Sequence, residues 1–210
     1  MPEKLSDIVF QLPFKSSFGF KALVPISEEA LDALQDYEIS ELNTFTNVRR
    51  KREYLSSRIL LKKLASEWGI PREEFEILKD DLGSPYGLYR SERYFISIAH
   101  TRKRVFCGIS RDSAIGIDAE PITRKVPDKL KRRILHPDEV RSLASVSGIR
   151  IWTIKEAFIK LEGQGLRLNM NQVKVQKEGN TFLVEINNDK RAKICSFRSA
   201  DHWLAIAYYQ

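Results

Sequence analysis

Residues 115–122 read IGIDAEPI, an apolar run that carries two carboxylates one residue apart. Such a run is a buried strand, and side chains on a strand alternate in direction. Ile117 and Ala119 therefore face one side, and Gly116, Asp118 and Glu120 the other. The glycine beside the acids leaves room for a ligand, and paired carboxylate oxygens make a hard site suited to magnesium. The same pattern also fits ordinary polar-face residues on a half-exposed strand.

The 210 residues allow one large domain or two small ones, with 42% hydrophobic and 30% charged residues, which are globular values. The start MPEKLSDIVF has no long apolar stretch behind a basic head, and no run approaches the ~18 apolar residues of a membrane helix. A soluble, intracellular protein without membrane association is expected. Cys107, Cys195 and the three histidines have no metal-type spacing, so the cysteines are expected as small buried hydrophobes in a reducing compartment. A net charge of +7 suits an anionic partner: nucleic acid, a phosphorylated cofactor or an acidic protein. The basic clusters at 48–54, 101–104 and 128–134 also fit plain solvated faces.

Strands are expected at 8–12 and 20–25, then a helix opened by Ser27 and a longer one over 41–68, stopped by Gly69 and Pro71. Residues 81–87 are turn material, with strands at 95–99, 105–110 and 115–120. Helices follow at 127–135, 137–146 and 149–162. Strands at 172–177, 181–186, 191–198 and 203–209 close the chain, with turns EGN and NND between the first of them. This rhythm of helices, small antiparallel sheet and repetition predicts an α+β fold in two similar halves, meeting near residues 110–115.

In IWTIKEAFIKLEGQGL (151–166), helical spacing puts Ile151, Ile154, Ala157, Phe158 and Leu161 on one core stripe. Trp152, Lys155, Glu156 and Ile159 fall on the adjoining arc with Lys160 at its edge, so an acid and two amines flank the buried face. Glu156 and Lys160 equally fit a surface i,i+4 pair, and Trp152 fits packing. Gly163 and Gly165 are expected to end the helix and turn the chain.

Together, GIDAE and WTIKEAFIK resemble the 4′-phosphopantetheinyl transferase superfamily, which carries a G-x-D-x-E strand and a W-[ST]-x-K-E-[AS]-x-x-K helix. EGQGLRL (162–168), GSP (83–85), FISIAHT (95–101) and the arginine-bearing stretch 50–61 fit the same pattern in the same order. Length and the two expected halves resemble the larger, pseudo-dimeric type with its pseudo-twofold and an active site between the halves. The resemblance implies an N-terminal half, 1–112, that contacts the adenine and 3′-phosphate of coenzyme A, and a C-terminal half, 113–210, with the metal site and catalytic helix.

The implied reaction is magnesium-dependent transfer of phosphopantetheine from coenzyme A to a serine of an apo acyl or peptidyl carrier protein, releasing 3′,5′-adenosine bisphosphate. By resemblance, Asp118, Glu120 and Glu156 hold the metal. Glu156 is also the leading candidate base, and Lys155 and Lys160 neutralise phosphate. Arg52, Arg58, Gly83, Ser84, Pro85, His100 and Thr101 are the implied coenzyme A contacts, together with the two lysines. The partner is an acidic carrier protein, with helix 127–135 as a candidate docking face. A cytoplasmic monomer that does not bind nucleic acid is expected. Two positions depart from the family pattern: Ser84 stands where a basic residue is usual, and Ala99 where a serine usually precedes the histidine. Neither touches the metal acids, so an active enzyme is expected. Two rival functions remain open: a magnesium-dependent nuclease, and a coenzyme A or carrier-protein binding module without catalysis.

Overall fold

The computed structural model describes residues 5, 12–163, 168–186 and 190–210. All but Leu12 of the strand expected at 8–12, the turn at Gly165, most of EGQGLRL and the NND turn lie outside the described residues. The chain is α+β and divides into two compact units, Leu12–Asp112 and Ser113–Gln210.

The first unit opens with strand β1 (Ser16–Ala22), then helices α1 (Glu28–Leu31), α2 (Asp36–Thr44) and α3 (Val48–Ser66). Strands β2 (Glu76–Lys79), β3 (Pro85–Tyr89), β4 (Glu92–His100) and β5 (Arg104–Ser110) follow, and the antiparallel sheet runs β1-β5-β4-β3-β2. Leu60, Leu61 and Leu64 of α3 pack against Phe75, Ile77, Ile96 and Ile109 in one core.

The expected helix over 41–68 is two helices. The side-chain oxygen of Asn47 accepts from the backbone N–H groups of Arg49 and Arg50 at 2.9 and 3.2 Å. That cap satisfies the first donors of α3 and breaks the chain away from α2. Residues 85–87, expected as turn, begin β3. The real turn is earlier, where Asp80 Oδ1 accepts from Leu82 and Ser84 N–H groups at 3.0 and 2.8 Å. The β3–β4 hairpin turns at Arg90 and Ser91, both at positive φ (47° and 68°), as a two-residue hairpin turn demands.

The second unit repeats the connectivity. Strand β6 (Ile115–Pro121) leads into α4 (Asp128–Ile134), α5 (Glu139–Ser142) and α6 (Gly148–Glu162). A 3₁₀ turn at Met170–Gln172 then feeds β7 (Val173–Glu178), β8 (Thr181–Ile186), β9 (Lys190–Ser199) and β10 (His202–Tyr209), in the order β6-β10-β9-β8-β7. In both units the last strand returns to pair with the first. The helix expected over 137–146 is only Glu139–Ser142. Ser147 caps α6 by accepting from Arg150 N–H, and Gly163 ends it at φ 68°. Ile154, Ala157, Phe158 and Leu161 bury against Val173, Val184, Ile194, Ala205 and Ala207. Among the described residues no helix is long and apolar enough to cross a membrane.

Gly116 corrects one expectation. It does not leave room for a ligand: a Cβ there would lie 2.0 Å from the carbonyl oxygen of Ala157 and 2.4 Å from the amide nitrogen of Leu161. The glycine is where β6 and α6 touch backbone to backbone. Gly116→Ala should therefore cost about 3 kcal/mol or more, as overpacking against rigid backbone does. Gly179→Ala, at positive φ but in open space, should cost only ~1–2 kcal/mol. Urea denaturation of both variants checks the order, and equal losses would contradict the contact.

Candidate active site

The Gly116 contact positions the rest of its face. Two residues along β6, Asp118 is 7% exposed and receives the Lys160 ammonium on Oδ1 at 2.8 Å. Its Oδ2 is buried and accepts no hydrogen bond among the described residues. Two residues further, Glu120 forms an ion pair with Arg124. That arginine comes back over the strand end through a turn in which its N–H donates to the Pro121 carbonyl at 3.0 Å. Its guanidinium lies 5.3 Å from the Trp152 ring centroid. Glu156, one helical turn before Lys160 on α6, completes the group.

The three acids feel one another. Glu120 is pushed up to about 7, first by burial and then by the Asp118 carboxylate, with Glu156 adding to it and Arg124 and Lys160 opposing. Burial raises Glu156 as well, followed by Asp118. Burial also raises Asp118, against the pull of Lys160. Three carboxylates thus face two cations.

Among the described residues, no three His, Cys, Asp or Glu side chains are gathered closely enough to hold a metal ion as they stand. Lys160 and Arg124 hold Asp118 and Glu120 instead. The donor set still fits a hard divalent cation, because it is all oxygen, is one positive charge short, and includes the unpartnered buried Asp118 Oδ2. A cavity of about 610 Å³ opens beside it, lined among others by Ile134, Trp152, Glu156, Ile159, Lys160 and Met170. Trp152, expected to pack, is half-buried and forms part of that wall.

Lys155 corrects another expectation. It is 0% exposed, and its ammonium donates to the carbonyls of Ile134 (2.6 Å), Val173 (2.7 Å) and Met170 (3.1 Å) and to Glu139 Oε2 (2.7 Å). No proton is left for a phosphate. Glu139, also buried, further accepts from the N–H groups of His136 (2.7 Å) and Val175 (2.6 Å). Sequence reasoning missed Glu139 because only a fold brings it to a lysine 16 residues away. It missed Arg124 because an i,i+4 pair outside a helix has no periodic signal.

The other expected residues lie in the unit Leu12–Asp112. Arg58 is 3% exposed, pairs with Glu38 (3.4 Å) and Glu41 (3.9 Å), and stacks 4.2 Å from the Tyr54 ring centroid. It belongs to the core of its unit and not to a ligand surface. Thr101 is likewise buried, its hydroxyl accepting from Arg104 N–H at 3.2 Å within the β4–β5 turn. Arg52 donates through Nε and Nη2 to the carbonyls of Val24 (3.1 Å) and Leu23 (3.0 Å). His100, exposed at the end of β4, has Nε2 3.0 Å from Arg50 Nη1. Gly83 (φ 83°) and Ser84 form the turn on Asp80, and Pro85 starts β3.

The acids, Lys160 and the strand–helix contact all fall within residues 114–207, which match the family model of the 4′-phosphopantetheinyl transferase superfamily. That stretch of the chain is similar to the superfamily. Three curated relatives are similar to it. The 4′-phosphopantetheinyl transferase gsp of Aneurinibacillus migulanus is 28% identical over 154 residues, 70% of this chain and 63% of that protein. A Synechocystis relative, provisionally named for the same transferase, is 27% identical over 150 residues, 67% of this chain and 61% of its own. The transferase psf-1 of Bacillus pumilus is 25% identical over 159 residues, 72% and 62% respectively. The chain thus spans about three fifths of the length of the curated relatives it matches.

The electrostatics of Glu120 and of the buried Lys155–Glu139 pair support two predictions. Glu120 has a folded pKa of about 7 against an ordinary 4.5, so the folded state holds the proton more tightly than the unfolded chain. The stability from protonated Glu120 is full below pH 4.5 and is lost as pH rises through 7. In metal-free buffer, Glu120→Gln should therefore gain on the order of 2 kcal/mol relative to wild type between pH 5 and pH 8. A gap that is constant with pH in urea melts would contradict the burial account. At the second pair, Lys155→Met strands a buried carboxylate and should cost ~3–5 kcal/mol. The double variant with Glu139→Gln should lose clearly less than the two single losses added together, which the same melts measure.

Proposed function

We propose that this chain is a 4′-phosphopantetheinyl transferase that moves the phosphopantetheine arm of coenzyme A to a serine hydroxyl of an apo carrier protein. The observation that carries the reading is the Lys160–Asp118 pair at the Gly116 contact, with Glu120 and Glu156 in electrostatic reach of Asp118, inside the segment that matches the superfamily. The transferase names of the relatives support it.

In this reading, Asp118, Glu120 and Glu156 hold one magnesium ion. When bound, the ion supplies charge neutralisation to the diphosphate of coenzyme A and to its leaving group. The serine oxygen forms a bond to the phosphorus next to the pantetheine arm, and the diphosphate P–O bond on the far side breaks. The products are the modified carrier and 3′,5′-adenosine bisphosphate. Glu156 is also the candidate acceptor of the serine proton, directly or through a water. That role suits the metal-free carboxylate, whose proton affinity is raised by burial and by Asp118; one carboxylate cannot be a tight ligand and a free base at once. Lys160 neutralises phosphate oxygens as a point charge. Arg52, His100 and the turn Gly83–Ser84–Pro85 contact the 3′-phosphate and adenine. Lys155, Arg58 and Thr101 support the fold instead.

The carrier is acidic around its serine, and α4, with Lys129, Lys131, Arg132 and Arg133, is its docking face. Opposite charges there would speed encounter and make it salt-sensitive. The enzyme works as a cytoplasmic monomer.

Incubation with coenzyme A, magnesium and an apo carrier should add the mass of phosphopantetheine to the carrier. A stable complex without added mass would favour a binding module, and DNA cleavage without carrier modification would favour a nuclease. Asp118→Ala should abolish transfer. Glu156→Gln should lose about 10²–10⁴-fold in kcat, the worth of a positioned base, and Lys160→Ala less. Steady-state kinetics on the modified carrier decide the order, and the reverse ranking would unseat Glu156 as base.

A further inference from the structure

Arg124 lies outside the strand and helix motifs, and three features hold it over the acids. Its N–H closes the turn on Pro121 at 3.0 Å. Its guanidinium pairs with Glu120 and lies 5.3 Å from the Trp152 ring centroid. The arginine side chain is 45% exposed and that of Glu120 only 16%, so the cation comes to a carboxylate that burial has largely removed from water.

A guanidinium and a divalent cation cannot both take the same carboxylate at full strength. With Lys160 and Arg124 in place, the three acids carry one uncompensated negative charge; a divalent cation would turn that into one excess positive charge. The arginine then becomes the group to move, since it is the more exposed and rides on a turn. Lys160, on a helix held by the Gly116 contact, has less freedom. A diphosphate brings the negative charge that a displaced guanidinium needs, in the planar geometry that Arg grips with two donors.

We infer that Arg124 is an internal counter-cation that competes with the divalent metal for Glu120 and, once displaced, binds the diphosphate of the donor. This rests on the metal reading given under Proposed function, and the experiment separates the two. Mn²⁺ is titrated into the metal-stripped full-length chain and followed by electron paramagnetic resonance. Preformed manganese pyrophosphate is then titrated in by calorimetry.

Arg124→Gln should bind Mn²⁺ about two- to fivefold more tightly than wild type, the scale of losing a partly exposed competing ion pair. It should bind manganese pyrophosphate about tenfold more weakly, the scale of one lost charge-assisted contact. Arg124→Lys should fall between wild type and Arg124→Gln in both titrations. Equal or weaker Mn²⁺ binding by Arg124→Gln overturns the competition. Unchanged binding of manganese pyrophosphate overturns the transfer to diphosphate. Failure of wild type itself to bind Mn²⁺ overturns this inference together with the metal reading beneath it.

Discussion

The contact of Gly116 with α6 is the constraint on which the site depends. It is made by backbone, at Ala157 and Leu161, and backbone cannot yield as a side chain can. The residues just before those two are Glu156 and Lys160. The four-residue spacing of the acid and the amine is therefore the spacing of the contact, one helical turn. On β6 the same contact fixes the face shared by Asp118 and Glu120, in steps of two. Glycine, acids and lysine are thus the record of one packing event, in which a strand and a helix come close enough for their flanking charges to meet at 2.8 Å.

The two lysines of that helix separate for a geometric reason. At 100° per residue, Lys155 and Lys160 point about 140° apart, whereas Glu156 and Lys160 are only about 40° apart. Lys160 reaches the strand acids, and Lys155 reaches the far side. There it ties the end of α4, the Glu139 carboxylate and the start of β7 to α6. A buried pair of this kind gains little net stability over an apolar isostere, but removing one partner is expensive. Its use is positional, because Ile134 and Met170, whose carbonyls it holds, also line the cavity beside Glu156. The motif therefore mixes a residue that faces the site with one that supports its wall, and spacing alone could not tell them apart.

Much of this was legible in the residues. The apolar run of β6, the stripe of α6 and the strand Thr181–Ile186 were all read from period and composition, because each is decided by what is buried. The parts that were not legible depend on partners distant in sequence or on unusual turn chemistry. Arg90 and Ser91 adopt positive φ without glycine or asparagine, so the hairpin after β3 had no turn signature. Asn47 looked like one polar residue within a long helix; its role as a cap appears only when its oxygen is seen on Arg49 and Arg50. The family resemblance implied a phosphate for Arg58, but burial against Glu38 and Tyr54 uses it within the unit.

The repeated connectivity shows why only one unit carries the acids. In the first unit, Gly19 of β1 meets long helix α3 much as Gly116 meets α6, but through the side chain of Leu60, whose Cδ1 would be 2.7 Å from an added Cβ. Counting from each glycine and from the leucine against it, the positions of Asp118, Glu120, Glu156 and Lys160 correspond to Lys21, Leu23, Leu55 and Ile59. The same frame is filled with apolar groups and one amine, and Leu55 is fully buried in it. No cation could be held there. The charge of that unit is instead gathered at the start of α3, where Arg49, Arg50, Lys51 and Arg52 occupy the first turns and no acid lies in the first. Cations at a helix N-terminus oppose its dipole, and Glu53 offsets only Arg49 and Arg50, at 3.1 and 3.5 Å. One topology used twice thus places three acids at the strand–helix contact of one unit and apolar groups with one amine at that of the other.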